Sequence, residues 1–258
     1  SFALRLKPAI GAAFKHLLAS VLVALAVAAL VFGIWYPQPY GELAGGQDLF
    51  RLLVAVDVVC GPLLTLVVYS PRKPRTELIR DIGLVVLIQL AALGYGLHSM
   101  MQARPVWLAF EGDRFRVVSV PDLLPGSLQN APLTLRSLSL TGPLPLGVRL
   151  VAGTDANFQD SVRQALEGHH PAFRPERWVD YAQQSDRVRQ VAKPLSGLQA
   201  RYPQHIGLFV EVSRRTGLAP AEMGYLPLMA EQRSDWVVLV NRKSGEPVDY
   251  LPLDGWED

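Results

Sequence analysis

Cysteine is almost absent from this sequence of 258 residues, in which Cys60 is the single one. An intramolecular disulfide is therefore impossible, and the cysteine content does not reveal the compartment of the protein. Charged residues are also scarce, at 19% against roughly 25% in an average globular protein. The net charge is only +2. The chain lacks the basic excess of a nucleic-acid-binding protein, so nucleic acid is not expected as a partner.

Familiar catalytic patterns are missing as well. The sequence has no Gly-x-Ser-x-Gly nucleophile turn, no phosphate-binding glycine loop and no His–Glu zinc motif. His169 and His170 are adjacent rather than one helical turn apart, so their rings point away from each other on a regular helix. We therefore predict a protein that is not an enzyme, with no cofactor and no metal site.

Long apolar runs are abundant, and they lie in the first hundred residues. A helix needs about 20 apolar residues to cross a bilayer. Three runs reach that length, at about 16–35, 49–69 and 82–101. The first run exceeds the apolar core of a secretory signal peptide, which has roughly 7–15 residues. We predict a transmembrane domain of three helices over residues 1–103.

Basic residues predict the orientation of these helices. The loop between the first and second runs has no lysine or arginine, whereas the amino-terminal side and the second loop have several. By the positive-inside rule the amino terminus is cytoplasmic and the chain after residue 101 lies outside, in the periplasm of a bacterial inner membrane. Candidate anchors at the two membrane–water interfaces are Trp35, Tyr36, Arg72, Lys73 and Arg75.

Asp57 is the unusual residue of the second run, "VAVDVVCGPLLTLVV". It lies about eight residues from the predicted outer end, which corresponds to a depth of about 12 Å. A carboxylate at this depth is costly and is a candidate functional residue. Two interpretations remain open. Asp57 either pairs with Gln89 or His98 of the third helix and holds the bundle together, or it contacts an intramembrane partner or carries a proton.

Pro62 lies in the same run and predicts a bend in the second helix, because proline removes a backbone hydrogen bond. An aspartyl protease is disfavoured. Asp81 is predicted about 18 Å from Asp57 along the membrane normal, whereas two carboxylates that share a proton nearly touch.

The composition changes to that of a folded domain after Arg104. Residues 106–120 are rich in β-branched and aromatic residues, which predicts two short strands around a tight turn. The carboxyl-terminal end predicts a β-hairpin with strands at 236–241 and 247–251.

Helices are predicted between these strands. One covers 154–168, where a threonine or aspartate can cap an apolar stripe and a glycine ends it. Another lies within 175–203, with a break at Pro194. The expected architecture is therefore a membrane protein, with a three-helix transmembrane bundle followed by a small α+β extracytoplasmic domain over residues 104–258.

The sequence resembles the TfpX/TfpZ family of type IV pilin accessory proteins. The resemblance covers most of the chain and is strongest in residues 30–120. The segments that carry it are Trp35-Tyr36-Pro37, Pro39-Tyr40, Gly45-Gly46, Val56-Asp57, Gly61 to Leu66, Gln89-Leu90, Arg104-Pro105, Asp113-Arg114-Phe115 and the ending from Tyr225 to Trp256.

The resemblance implies an inner-membrane protein without enzymatic activity that accompanies a type IV major pilin and supports pilus assembly or dynamics. Under it, Asp57, Pro62 and Gln89 become candidate contacts for the membrane helix of the pilin, and the periplasmic domain would contact the pilin head. Two alternatives stay open. The chain could regulate inner-membrane pilus assembly subunits without touching pilin, or it could be a small proton-coupled transport component that uses Asp57.

Overall fold

The computed structural model describes residues 2–151, 159, 163, 168–231 and 233–256. The chain divides into two compact units, Ser1–Arg104 and Pro105–Asp258. The helix predicted over 154–168 falls almost entirely outside the described residues.

Helices make up the first unit. Three helical stretches are long and apolar enough to cross a membrane, judged by length and composition: Lys7–Trp35, Gly46–Val68 and Arg75–Ala103. Their α-helical parts, with a short connecting helix, are α1 (Phe2–Leu30), α2 (Tyr40–Leu43), α3 (Gly46–Val54), α4 (Gly61–Val68) and α5 (Arg75–Ala103).

Two wider π-helical turns interrupt this regularity, Val31–Trp35 at the end of α1 and Ala55–Cys60 between α3 and α4. Pro62 stands in the first turn of α4, directly after the second π turn. Its missing N–H therefore falls where the regular α-helical hydrogen bonding is already interrupted. Asp57 belongs to this π turn.

Tyr36 differs from the predicted interface anchor. Its side chain is completely buried, and its hydroxyl donates a 2.8 Å hydrogen bond to the carbonyl oxygen of Met100. It packs in one cluster with Val31 and Leu53, and Trp35 lies half-buried against the same cluster. The phenol thus satisfies a carbonyl in the last turn of α5 that lacks a helical partner. The tyrosine joins helices instead of facing the surroundings.

The basic loop before α5 is more open. Arg72 and Arg75 are exposed. The Nζ atom of Lys73 donates to Asp81 Oδ2 at 2.6 Å and lies 3.5 Å from Glu77 Oε1. Exposed ion pairs contribute little to stability, so this contact mainly orients the loop on the first turns of α5.

A mixed β-sheet dominates the second unit. Its strands are β1 (Pro105–Phe110), β2 (Phe115–Ser119), β3 (Leu144–Val148), β4 (Trp178–Val179), β5 (Lys193–Pro194), β6 (Met223–Met229), β7 (Trp236–Asn241) and β8 (Pro247–Leu251). The strand order is β4-β3-β1-β2-β6-β7-β8, and β5 also pairs with β6. The β1–β3 and β2–β6 pairs are parallel, and the other neighbours are antiparallel.

The register defines two ends of the sheet. Pro105 of β1 pairs with Ser119 of β2, and Trp107 pairs with Leu144 of β3. The start of β1, the end of β2 and the start of β3 thus share one end, which we call the entry end. The opposite end, which we call the turn end, holds the tight turn between Phe110 and Phe115.

Two apolar clusters form the core of this unit. One gathers Trp107, Val118, Leu146 and Trp178 from the β4-β3-β1-β2 half of the sheet. The other packs helices against the β6-β7-β8 half. Its helices are α7 (Leu195–Arg201) and α8 (Ile206–Thr216), and α6 (Ser185–Val191) precedes them.

The architecture expected from the sequence is confirmed to this extent: three apolar helices are followed by a domain of helices and a mixed sheet. The strands at 105–110, 115–119, 236–241 and 247–251 match the predicted strand pairs closely. The helical region within 175–203 is divided at Pro194, where the chain makes the short strand β5.

Candidate functional site

Polar residues lie in the middle of each of the three long apolar helices. Asp57 is 11 residues from both ends of Gly46–Val68, and Gln89 is 14 residues from both ends of Arg75–Ala103. Ser20 is within one residue of the midpoint of Lys7–Trp35. At 1.5 Å per residue, Asp57 is about 16 Å from either helix end, deeper than the sequence predicted.

Gln89 contacts Asp57 directly, but it reaches the main-chain carbonyl of Asp57 and not the carboxylate. The Nε2 atom of Gln89 donates a 2.9 Å hydrogen bond to the carbonyl oxygen of Asp57. The Asp57 residue is only 8% exposed, and within the described residues its Oδ1 atom has no hydrogen-bond partner. The Oε1 atom of Gln89 is likewise buried there without a partner. Two acceptors without donors therefore lie on neighbouring helices.

A cavity of about 170 Å³ adjoins these acceptors. We call it the Asp57 cavity. Four of its lining residues are polar, His16, Ser20, Asp57 and Gln89. The remainder are the apolar residues Ala19, Val23, Val86, Leu90 and Leu93.

His16 and Ser20 were missed by the sequence interpretation. They are four residues apart on α1 and therefore lie on one helix face, which was a usable signal within an apolar run. His16 Nδ1 lies 2.5 Å from Oγ1 of Thr65, a residue that is 2% exposed. This contact joins α1 to α4 beside the cavity.

The other predicted positions have different surroundings. His98 is exposed, so of the two proposed partners of Asp57 only Gln89 reaches it. Pro62 is half-buried and does not line the Asp57 cavity.

Gly61 permits the close approach of Gln89. A Cβ atom at residue 61 would lie 2.1 Å from Nε2 of Gln89, so any larger residue forces the amide away. The glycine is therefore required by the hydrogen bond to the Asp57 carbonyl.

We expect Gly61→Ala to be less stable than Gly94→Ala by about 1–2 kcal/mol, the value of an interhelical hydrogen bond in a membrane. Both variants gain the helix propensity of alanine, and a Cβ at Gly94 meets no atom within 4 Å. Thermal unfolding of the purified full chain in detergent measures the difference. In a Gln89→Ala background, where this hydrogen bond is already absent, Gly61→Ala should cost little more than Gly94→Ala. Equal stability of the two glycine variants in the unmodified background would contradict this account.

Comparison with known proteins gives the context of this site. The family model described as fimbrial assembly protein FimB matches residues 4–45, which include His16 and Ser20. The fimbrial assembly protein of serogroup E1 of Dichelobacter nodosus is 36% identical over 231 residues, covering 88% of either chain. This chain belongs to the fimbrial assembly protein family.

Two further relatives support that membership. The serogroup I fimbrial assembly protein of Dichelobacter nodosus is 35% identical over 231 residues, with 88% of either chain covered. The protein of serogroups C1 and C2 is 43% identical over 116 residues, which cover 45% of this chain and 88% of that protein. No solved structure matches this chain.

The chemistry available to this family member at the Asp57 cavity is that of an acceptor site. No group of three or more histidine, cysteine, aspartate or glutamate side chains suited to a metal ion occurs among the described residues. Two buried acceptors can take a proton or a donor group from another molecule, and in an apolar environment each such hydrogen bond is valuable because water does not compete for it.

The second unit of this family member, Pro105–Asp258, has another polar cluster, built around a buried ion pair. Nε of Arg116 donates to Oε2 of Glu111 at 2.8 Å, and the backbone N–H of Ala172 donates to Oε1 at 3.0 Å. Glu111, Arg116 and His170 line one cleft on this unit. Burial, followed by the positive charge of Arg116, lowers the pKa of the His170 ring. The ring is therefore neutral at neutral pH. The hydrogen bond from the Ala172 N–H to Glu111 holds the chain around Ala172 against the sheet.

Proposed function

We propose that this protein is a non-enzymatic inner-membrane accessory protein of type IV pilus biogenesis, which supports assembly or dynamics of a cognate major pilin by contacting it. Its place in fimbrial assembly rests on the family relationship. The contact with pilin rests on the TfpX/TfpZ resemblance and on the Asp57 cavity. In this proposal the amino terminus is cytoplasmic, the three long helices span the membrane, and the unit after Arg104 is periplasmic.

The observation that carries the contact is a carboxylate oxygen of Asp57, in the middle of an apolar helix, that has no hydrogen-bond partner in the described part of the chain. Ionisable residues at this depth are costly, and they mark sites that bind or transport something. A bundle that needed only cohesion would pair the oxygen internally. In Asp57 this oxygen has no hydrogen-bond partner among the described residues, and the residue lines a cavity between helices.

A pilin subunit offers two things to recognise, a membrane helix and a soluble head. The Asp57 cavity would take the helix, and the sheet domain would take the head. Two weak contacts on one chain act together, because the second forms at the high effective concentration set by the first. Selectivity for one pilin then needs no single tight interface.

Site-specific photo-crosslinking in cells that express the cognate pilin tests this proposal. Leu90 lines the Asp57 cavity and is 57% exposed, whereas Ile88 is 54% exposed and lies about 160° away around α5. We expect a crosslinker at Leu90 to capture pilin and one at Ile88 to capture much less. Equal capture from both positions would contradict a specific site at the cavity.

A crosslinker at Val210 in the sheet domain, a residue that is 65% exposed, tests the second contact. Crosslinks only to assembly subunits, persisting in a strain without pilin, would favour the regulator of the assembly machinery instead. No protein crosslink from the cavity, together with proton flux in liposomes that Asp57→Asn abolishes, would favour the proton-coupled component.

A further inference from the structure

Exposed leucines are concentrated in one segment of the sheet domain, residues 123–144, which we call the leucine segment. Leu124 is 57% exposed, Leu133 79%, Leu140 55% and Leu144 50%. Other leucines of the segment, such as Leu135, pack into the core. The segment is thus held on the domain by its buried leucines, while a second set of its leucines is exposed on the surface.

Charge is nearly absent from the same segment. Between Asp122 and Arg149 the chain contains one charged residue, Arg136. Its Nε atom donates to the carbonyl oxygen of Ala131 at 2.9 Å, and the residue remains exposed. A solvated loop of this length normally carries several charges, whereas leucines with an occasional arginine are typical of a surface that meets the lipid headgroup region.

The register of the sheet gives the location of the leucine segment. It follows Ser119 at the end of β2 and leads into Leu144 at the start of β3, and both residues are at the entry end. Pro105, the first residue of β1, is at the entry end as well. Only Arg104 separates it from Ala103, the last residue of α5. The segment therefore occupies the end of the sheet at which the chain arrives from its third apolar helix.

We propose that the leucine segment is a lipid-binding surface, which rests on the outer face of the membrane with its exposed leucines among the headgroups. This inference rests on the membrane anchoring in the proposed function, but it does not depend on any contact with pilin. Single leucines spread over a segment suit a fluid apolar phase, and the exposed guanidinium of Arg136 suits lipid phosphates. The contact orients the sheet domain on the bilayer.

Fluorescence quenching by lipids that carry a nitroxide near the headgroup tests the proposal, with the full chain in nanodiscs. A fluorophore is attached at Leu133→Cys, Leu144→Cys or Leu150→Cys in a Cys60→Ser background. Leu150 is a matched control, because it is 47% exposed and lies past the other end of β3 from Leu144, near Gly112 of the turn end. We expect several-fold stronger quenching at residues 133 and 144 than at 150.

The native thiol separates the two proposals. Cys60 is exposed on an apolar helix, so a fluorophore there reports on membrane insertion through quenchers placed in the acyl chains. Quenching at Cys60 with none at Leu133 and Leu144 would overturn the lipid surface and leave the anchoring intact. Absence of quenching at Cys60 would overturn the anchoring itself. Protection of Leu133 by added pilin, without lipid quenching, would assign the segment to a protein partner and also overturn this inference.

Discussion

Asp57→Leu is expected to give a more stable protein that no longer supports fimbriation. A buried acceptor without a hydrogen-bond partner costs about 1–3 kcal/mol, so leucine, which removes this oxygen, should raise the free energy of unfolding by up to that amount. The variant loses the carboxylate oxygen of Asp57 that has no hydrogen-bond partner among the described residues. Loss of one interhelical hydrogen bond of about 1–2 kcal/mol lowers the affinity for a partner roughly tenfold. Fimbriae counted by electron microscopy and unfolding of the full chain in detergent measure the two effects.

Asp48→Leu is the matched control, since it removes an acid from the same apolar helix outside the cavity. Asp48 is exposed and paired with Arg51 at 2.9 Å. We expect normal fimbriation from it. Loss of fimbriae in both variants, or normal fimbriae in Asp57→Leu, would remove Asp57 from the functional site and return it to a structural role.

Glu111→Ala is expected to destabilise the sheet domain by about 3–5 kcal/mol, the usual effect of breaking a buried ion pair. The Glu111 side chain is 6% exposed and that of Arg116 is 10% exposed. Alanine leaves the guanidinium buried without its counter-charge and removes the acceptor of the Ala172 N–H. Trp178 donates from Nε1 to the carbonyl oxygen of Ala172 at 2.8 Å, so tryptophan fluorescence during unfolding of the full chain reports on this region.

Two further variants separate charge from packing. Asp113→Ala breaks the neighbouring pair with Arg114, in which the aspartate side chain is 64% exposed, and should cost at most about 1 kcal/mol. Glu111→Leu combined with Arg116→Met should recover much of the lost stability, because buried ion pairs are often replaceable by apolar residues. If Glu111→Ala lowered the stability as little as Asp113→Ala, the Glu111–Arg116 pair would contribute no more than an exposed ion pair.

Local sequence patterns predicted four of the eight described strands, those of the two hairpins, and missed β3, β4, β5 and β6. An apolar, valine-rich run before a short turn and a second short segment after it predict the hairpin 236–241 and 247–251, and the structure places both strands at those residues. The strands at 105–110 and 115–119 follow from the same local chemistry. Their partners β3 and β6 come from distant parts of the chain, and no local pattern encodes which strands become neighbours.

The polar residues around the Asp57 cavity were only partly predictable from the sequence. Asp57 stands out because a carboxylate in an apolar run is conspicuous, but the rotation of each helix decides what it meets. Lipid-facing and bundle-facing surfaces are both apolar, so no amphipathic stripe reveals that rotation. The bond from Gln89 to the Asp57 main chain depends on the missing side chain of Gly61, which only the packed helices make evident.

The sheet cannot be completed until its carboxyl-terminal strands have been synthesised. Strand β2 pairs with β6, yet Ser119 and Met229 are separated by 110 residues of chain. At 5–20 residues per second, roughly 5–20 s pass between the synthesis of the two strands. During that interval one edge of β2 has open hydrogen-bonding groups, which can pair with foreign strands. The domain thus closes late, when nearly all of the polypeptide has been made.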